Sequence, residues 1–232
     1  MISGVVAELS NAHNGDLSRA HRIIEACAEA GADWMKFQAY TPDELVKLRG
    51  NGPAPEPWGS EGWTMYDLYN KAQTPHSWFP SLIRKCGEVG LPWFSSVFGI
   101  DSLEMLEKLG CPVYKMASLD IGADSLRHEI RKTCKPTIQS SPSIPASAAD
   151  AMLWCPPGYP QGKIANAQMM RALTIFDGLS YHGTDWKVPA NAFKWGAKIV
   201  EVHVQLDDEP SELEADVSLT MTDLGKLVRA SA

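Results

Sequence analysis

Two histidines that end successive apolar runs carry the strongest sign of chemistry in this chain. His182 ends GLSYH (178–182), and His203 ends VEVH (200–203). On neighbouring strands of a parallel barrel the two imidazoles would meet at one edge, where they could bind a divalent metal and leave coordination positions open. Taken singly, each histidine is better interpreted as a hydrogen-bonded polar group at a strand end. Polar residues elsewhere in the chain reverse that interpretation, and the pair predicts metal-assisted chemistry on a small molecule.

Further polar side chains lie near the carboxyl ends of these two runs and of most other strand-like runs in the chain. Strands buried on both faces should be almost wholly apolar, so these residues need a reason. They are Glu8, Lys36, Gln38, Ser95, Ser96, Lys115, Ser118, Asp120, Ser140, Ser141, Ser180 and Glu201. Lysines and serines suit an anion with a phosphate and a carboxylate, because ammonium groups neutralise charge and hydroxyls donate directional hydrogen bonds. The three acidic residues could act as acid, base or partners of metal ligands.

Each of these residues also has a purely structural interpretation. A serine can cap the turn between a strand and a helix, and Lys36 or Lys115 can extend its ammonium to solvent. The joint occurrence is harder to explain in this way. Because a barrel collects the carboxyl ends of its strands at one face, the residues are expected to line one pocket.

Eight short β-like runs alternate with helical stretches and predict the scaffold. They are VVAEL (5–9), WMKFQA (34–39), PWFSSV (92–97), VYKMAS (113–118), TIQSS (137–141), AMLWC (151–155), GLSYH (178–182) and KIVEVH (198–203). Eight strands separated by crossovers predict an α/β fold, a closed (β/α)8 TIM barrel, as one domain over residues 1–232. Between the first two runs, Asp16 and Gly31 predict the start and end of a helix.

Two connections depart from this regular pattern. Residues 41–63 are rich in Gly, Pro and Trp and predict a long loop, either a lid over the barrel mouth or a surface insertion. Between Ser141 and Leu153 too few residues remain for a full helix. The fifth crossover is therefore expected to be trimmed and the barrel minimal.

Composition narrows the class of protein. The 232 residues are 44% hydrophobic, enough for the core of one substantial domain. A net charge of −7 argues against nucleic acid or an anionic membrane as the partner. No run could span a bilayer and the first residues do not resemble a signal peptide, so a cytoplasmic protein is expected. Five scattered cysteines without C-x-x-C spacing disfavour a disulfide framework or a zinc knuckle.

In combination, the motifs resemble the barrel domain of the sialic acid synthase family. The segments that carry the resemblance are AELSNAHNGDL (7–17), KFQ (36–38), FSSVF (94–98), YKMAS (114–118), KPTIQSS (135–141), YP (159–160), GLSYH and EVH. WTMYDLYNKAQTPHSWF (63–79) is similar in particular to the pseudaminic and legionaminic acid synthase branch. The resemblance covers nearly the whole chain.

The resemblance implies condensation of phosphoenolpyruvate with an open-chain N-acetylated aminosugar, such as N-acetylmannosamine, to a nonulosonic acid and phosphate. It implies a divalent metal, manganese or magnesium, on His182 and His203, serving as Lewis acid and template. It implies catalytic roles for Glu8, Lys115 and Asp120. The positions matched to substrate binding are Lys36, Gln38, Ser96, Ser118, Ser140, Tyr159 and Ser180. The expected partners are these small molecules, with a homodimer as one expected assembly.

Several positions depart from the family pattern. Asp120 stands where the family has a glutamate, and Pro157 stands where it has an asparagine near the phosphate. The antifreeze-like C-terminal domain, which in the family lends an arginine to the sugar site of a partner subunit, is expected to be absent. The segment 41–63, with Arg49 and its tryptophans, could supply a sugar-side lid in its place, and a surface insertion without contact to the site stays the alternative.

Two other functions stay open at this point. One is a catalytically impaired barrel that binds a ligand or a partner protein, which the departures favour. The other is a related barrel aldolase or 3-deoxy-sugar-acid synthase. Retention of both histidines, both lysines and the matching serines favours catalysis, because a pure scaffold has no need to keep them together.

Overall fold

Eight parallel strands close into a barrel in the computed structural model of this chain, which describes residues 2–120, 122–144 and 149–231. The strands are β1 (Gly4–Glu8), β2 (Trp34–Ala39), β3 (Trp93–Val97), β4 (Tyr114–Met116), β5 (Thr137–Ser141), β6 (Ala151–Trp154), β7 (Gly178–Tyr181) and β8 (Ile199–Gln205). Each pairs in parallel with the next, and β1 also pairs with β8, which closes the barrel. The predicted α/β class and (β/α)8 TIM barrel are confirmed, and each predicted run overlaps one strand.

Helices lie in most of the crossovers between these strands, and one follows the last strand. They are α1 (Leu17–Ala30), α2 (Pro42–Arg49), α3 (Met65–Ala72), α4 (Phe79–Val89), α5 (Ile100–Lys108), α6 (Asp124–Lys132), α7 (Asn166–Ala172), α8 (Lys187–Lys194) and α9 (Met221–Ser231). The predicted ends of α1 are confirmed. The Asp16 carboxylate accepts a hydrogen bond from the Ser18 amide, and Gly31 adopts the left-handed conformation, with φ 86°, that ends the helix.

The prediction of one long loop over residues 41–63 is wrong in its first third. Pro42–Arg49 forms α2, because Thr41 and Glu44 bond each other's backbone amides in a capping box and proline occupies the first turn. The irregular part is residues 50–63, and most of it is exposed. Its ends approach each other, since Pro53 and Thr64 form an antiparallel bridge.

The connection between β5 and β6 is short, as the sequence predicts. Its described residues, 142–144 and 149–150, contain no helix, and residues 145–148 lie outside the described residues. A feature that the sequence analysis did not predict is a ninth strand, β9 (Ser218–Thr220), which pairs with the end of β8. In the described parts of the chain, no helix is both long and apolar enough to cross a membrane.

The pairing register places the predicted site residues next to one another. Glu8 lies opposite Lys36 of β2 on one side and His203 of β8 on the other. Ser96 lies opposite Lys115 in the same way. Paired residues share one face of a sheet. Apolar residues of the other face pack on the helices, as Phe37 does on Phe79 of α4, with ring centroids 5.9 Å apart.

Candidate active site

Four charged side chains form a continuous buried network inside the barrel. The Lys36 ammonium contacts the Glu8 carboxylate and lies 3.5 Å from Oε2 of Glu201. The Lys115 ammonium lies 3.3 Å from Oε1 of Glu201. Strands β2, β4 and β8 are not all neighbours, so these side chains must point into the barrel to meet. Two positive and two negative charges balance, and removal of any one would leave a buried charge without compensation.

Three serine hydroxyls lie on this network. Lys36 donates to Oγ of Ser96 at 2.9 Å, and Lys115 donates to Oγ of Ser140 at 2.6 Å. Ser180 donates to Oε1 of Glu201 at 3.0 Å. Each lysine therefore has a hydroxyl beside its ammonium group, the combination that binds phosphate and carboxylate oxygens.

The two lysines differ in how well their charge is compensated. Burial lowers the pKa of Lys36, but Glu201 and Glu8 outweigh burial and the net direction is upward. Burial also lowers the pKa of Lys115, and there Glu201 does not reverse the direction. Burial alone would raise the pKa of Glu201, but Lys115 and Lys36 hold it well below its ordinary value. Lys115 is thus the less compensated of the two cations, and an anionic ligand beside it would favour its protonated form.

His182 directly follows β7 and His203 lies two residues before the end of β8, with the two ring centroids 5.0 Å apart. Nδ1 of His203 lies 3.1 Å from Oε2 of Glu214, and Nδ1 of His182 lies 3.3 Å from Nε2 of Gln161. Burial, reinforced by His203, lowers the pKa of His182 to about 3, so this imidazole is neutral at pH 7. At His203 the Glu214 carboxylate outweighs burial and raises the pKa.

This donor set fits a divalent cation. A carboxylate on one ring nitrogen of a histidine is the usual support of a metal ligand, and Glu214 provides it for His203. Among the described residues, neither Nε2 atom of the two imidazoles has a hydrogen-bond partner. No group of three or more His, Cys, Asp or Glu side chains in the same residues is placed to hold a metal. Substrate or water oxygens would have to complete the coordination.

Tyr159 and Glu214 complete the histidine end of the site. The Tyr159 hydroxyl donates to Oε1 of Glu214, and its ring centroid lies 5.1 Å from that of His182 and 6.0 Å from that of His203. Burial alone would raise the pKa of Glu214, but His203 and Tyr159 lower it to about 2. Because Tyr159 is 53% exposed, a ligand above the histidines could contact its ring.

The remaining three predicted site residues lie outside the lysine–glutamate network. Gln38 donates to Oγ of Ser10 at 3.1 Å. Ser118 and Asp120 bound a short 3-10 helix after β4. The Asp120 carboxylate is buried and accepts two hydrogen bonds from Arg49, at 2.9 and 2.8 Å. The structure therefore brings most predicted residues together and sets Asp120 apart, beside an arginine.

The sequence matches the NeuB family over residues 23–153 and 147–232. The chain belongs to the NeuB family. Pseudaminic acid synthase of Helicobacter pylori is 32% identical over 97% of this chain and 72% of that protein. Human N-acetylneuraminate-9-phosphate synthase is 28% identical over 97% of this chain and 68% of that protein. The predicted resemblance to sialic acid synthases is confirmed, and the chain is an enzyme of that type.

Solved structures agree with this assignment. An N-acetylneuraminic acid synthetase from Leptospira borgpetersenii serovar Hardjo-bovis, crystallised with citrate, superimposes with a TM-score of 0.84 at 25% identity and covers all of this chain and 83% of that one. A truncated 3-deoxy-D-arabino-heptulosonate 7-phosphate synthase from Thermotoga maritima has a TM-score of 0.66 at 9% identity over 98% of this chain and 84% of that one. The second likeness concerns the fold alone.

The N-x-H-N-G-D turn of this NeuB-family barrel positions Glu214, which the sequence analysis missed. Oδ1 of Asn11 accepts a hydrogen bond from Ser211, whose hydroxyl accepts one from the Glu214 amide. Oδ1 of Asn14 accepts another from the Glu212 amide. Residues 207–216 are rich in acidic side chains, and their sequence alone does not distinguish Glu214 from its neighbours.

Gln161 is a second residue that the sequence analysis missed. It accepts a hydrogen bond from the His182 amide at 3.1 Å and donates one to the carbonyl of Pro156 at 2.8 Å. It therefore fixes the backbone that follows β7. No motif signals this role, because Gln161 lies on an irregular connection far along the chain from the histidine.

Proposed function

We propose that this chain condenses phosphoenolpyruvate with an open-chain N-acetylated aminosugar, giving a nonulosonic acid and phosphate, with Mn²⁺ or Mg²⁺ on His182 and His203. Relatives named as pseudaminic acid, N-acetylneuraminate-9-phosphate and N,N'-diacetyllegionaminic acid synthases support a product of this class. One observation carries the proposal. The buried anion site and the histidine pair share strand β8, through Glu201 and His203.

The lysine–serine network supports a role in binding phosphoenolpyruvate. Lys36 with Ser96 and Lys115 with Ser140 offer two ammonium–hydroxyl pairs in a site shielded from water. Such pairs bind anionic oxygens strongly, because charge-assisted hydrogen bonds are shorter and stronger than neutral ones. Lys115 shares its charge with one carboxylate, so we assign it the closer contact with the anion.

The histidine end would hold the sugar aldehyde. When bound, a divalent ion would supply Lewis-acid polarisation of the aldehyde oxygen and a template for both substrates. We assign the sugar contacts to Tyr159, whose ring lies beside both imidazoles, and to Gln38. His203 is oriented by Glu214, and His182 by its contacts with Gln161.

The reaction forms a C–C bond and a C–O bond to water, and it breaks the C–O bond to phosphate. Carbon 3 of phosphoenolpyruvate attacks the aldehyde carbon, the aldehyde oxygen gains a proton, and water adds at carbon 2. The tetrahedral intermediate then expels phosphate by cleavage of the C–O bond and leaves a 2-keto acid. Glu8 and Asp120 are the carboxylates that we assign to proton transfer in these steps.

The direct test is phosphate release from phosphoenolpyruvate with manganese against a panel of N-acetylated aminosugars. We expect release that requires both the sugar and the metal, and a nine-carbon keto acid by mass spectrometry. Omission of the sugar and addition of a chelator are the controls. If phosphoenolpyruvate binds but no sugar in the panel supports release, the synthase proposal is wrong and a barrel that only binds its ligand is left.

Residues 50–63 provide a separate prediction about the sugar. Replacing residues 54–63 by two glycines shortens the segment at the Pro53–Thr64 bridge and leaves α2 and Arg49 in place. If the segment closes over the sugar, the Michaelis constant for the sugar should rise by about tenfold, the loss of roughly 1.4 kcal/mol of binding, while that for phosphoenolpyruvate changes little. Steady-state kinetics with each substrate varied in turn measures both. If both Michaelis constants stay at their wild-type values in a folded variant, residues 50–63 are a surface insertion that does not contact the sugar.

A further inference from the structure

Arg49, the last residue of α2, donates two hydrogen bonds to the carboxylate of Asp120, which lies in the short 3-10 helix after β4. Nε lies 2.9 Å from Oδ1, and Nη2 lies 2.8 Å from Oδ2. One planar guanidinium thus occupies both carboxylate oxygens, which fixes the plane of the carboxylate as well as its position. The Asp120 side chain is 1% exposed and that of Arg49 is 22% exposed. This is a largely buried ion pair.

Arg49 is itself held in place by its surroundings. Its guanidinium carbon lies 5.3 Å from the centroid of the Phe98 ring. Phe98 belongs to a small apolar cluster with Tyr40, Leu45 and Tyr69. The capping box starts α2, and its Glu44 also accepts a hydrogen bond from the Ser102 amide at 3.0 Å. The arginine is therefore presented by a fixed helix.

Arg49 supplies the positive charge beside the buried carboxylate of Asp120. A carboxylate that is almost wholly removed from water is costly to keep ionised unless a cation lies beside it. Within the described residues, the buried lysines bond Glu8 and Glu201, and Arg49 is the cation bonded to Asp120. The βα unit that brings Lys36 to the anion site also brings Arg49 to the candidate base.

We propose that Arg49 is a positioning residue for the reaction: its two hydrogen bonds hold the Asp120 carboxylate in one orientation, so that the carboxylate can accept a proton. The inference rests on the proposed function. Arg49 does not need to touch either substrate. Its removal should therefore lower kcat and leave both Michaelis constants nearly unchanged.

The test compares Arg49→Ala, Arg49→Lys, Asp120→Asn and the double variant Arg49→Ala/Asp120→Asn. We expect Arg49→Ala to lower kcat by about 100-fold, the low end of what a general base contributes, with each Michaelis constant within about threefold of wild type. Arg49→Lys keeps the positive charge but not the two hydrogen bonds of the guanidinium, so its kcat should lie between those of the wild type and Arg49→Ala. Since Arg49 acts through Asp120, the double variant should be no slower than Asp120→Asn alone.

Added guanidinium supplies a readout that a purely structural role would not move. The cavity left by Arg49→Ala can admit the free ion, so millimolar guanidinium should restore at least tenfold of kcat in that variant and none in Asp120→Asn. Arg84→Ala, at an exposed arginine of α4, is the matched control and should keep wild-type constants. Thermal melting in each buffer confirms that every variant stays folded.

Each other outcome overturns the proposal. A wild-type kcat in Arg49→Ala, multiplicative losses in the double variant, or a folded variant that guanidinium does not rescue would each exclude a role through Asp120. A rise in the Michaelis constant for the sugar as the main effect would mean direct contact with substrate. A wild-type enzyme that releases no phosphate would refute the proposed function and this inference together, which distinguishes that failure from the failure of Arg49 alone.

Discussion

Replacing His203 by alanine is expected to abolish binding of the divalent metal and, with it, phosphate release. The two imidazoles, 5.0 Å apart by their centroids, are the nitrogen donors of the proposed site, and the described residues contain no cluster that could replace one. Loss of a supporting residue alone typically costs 10- to 100-fold in metal affinity, so loss of a ligand should cost more than about 100-fold. Titration with Mn²⁺, followed by its electron paramagnetic resonance, measures the affinity without relying on turnover.

Two further variants make the result specific. His128→Ala changes an exposed histidine of α6 and should keep both metal binding and turnover. Glu214→Gln leaves both ligands but removes the carboxylate on Nδ1 of His203, and should weaken Mn²⁺ binding by about 10- to 100-fold. A His203→Ala variant that still binds one Mn²⁺ per chain with full activity would mean that the metal, if any, lies elsewhere.

The parts of the fold with local chemical signals could be predicted from the sequence. The eight strands are short β-like runs, most of them apolar apart from the site residues, as burial on both faces of a parallel sheet demands. The ends of α1 follow from Asp16 and Gly31, each of which satisfies backbone groups that the helix cannot satisfy itself. α2 carries equally local signals in Thr41, Pro42 and Glu44, but the Gly, Pro and Trp content of the surrounding segment concealed an eight-residue helix.

The ninth strand could not be predicted in this way. β9 is three residues long, too short for any periodic signal. It forms because β8 extends beyond the end of β1. Glu8, the last residue of β1, pairs with His203, and Val204 and Gln205 then pair with β9 instead. The backbone groups of Val204 and Gln205 lack a partner on β1 only because the closed barrel sets the register of β1 against β8.

The same distinction holds in the candidate site. Residues on strands could be predicted to lie together, because each occupies a predicted strand and the strands of a barrel are paired in order. The predicted residues Lys36, Lys115, Ser96, Ser140 and Ser180 do take part in one hydrogen-bonded network. Residues on connections could not, because tertiary contacts set the path of a connection. Glu214 reaches His203 only because the first βα turn bonds its segment, and the sequence gives no sign that Arg49 reaches Asp120.

The second large effect is expected at Lys115. Lys115→Met should weaken binding of phosphoenolpyruvate by about 2–3 kcal/mol, or roughly 30- to 140-fold in Kd, because it removes a charge-assisted contact and leaves Lys36 alone to balance Glu8 and Glu201. Isothermal calorimetry with phosphoenolpyruvate measures the change. Lys132→Met, at an exposed lysine of α6, alters the net charge equally and should not change the affinity.

A double variant separates the two causes of that loss. Lys115→Met/Glu201→Gln removes one positive and one negative charge from the buried network and restores its balance. If the lysine contacts the ligand directly, the double variant should bind phosphoenolpyruvate as weakly as Lys115→Met. If the affinity returns to the wild-type value, repulsion from Glu201 caused the loss and Lys115 is not a ligand contact. Unchanged affinity in Lys115→Met itself would remove Lys115 from the anion site, and Lys36 with Ser96 would then have to bind the phosphate or carboxylate without it.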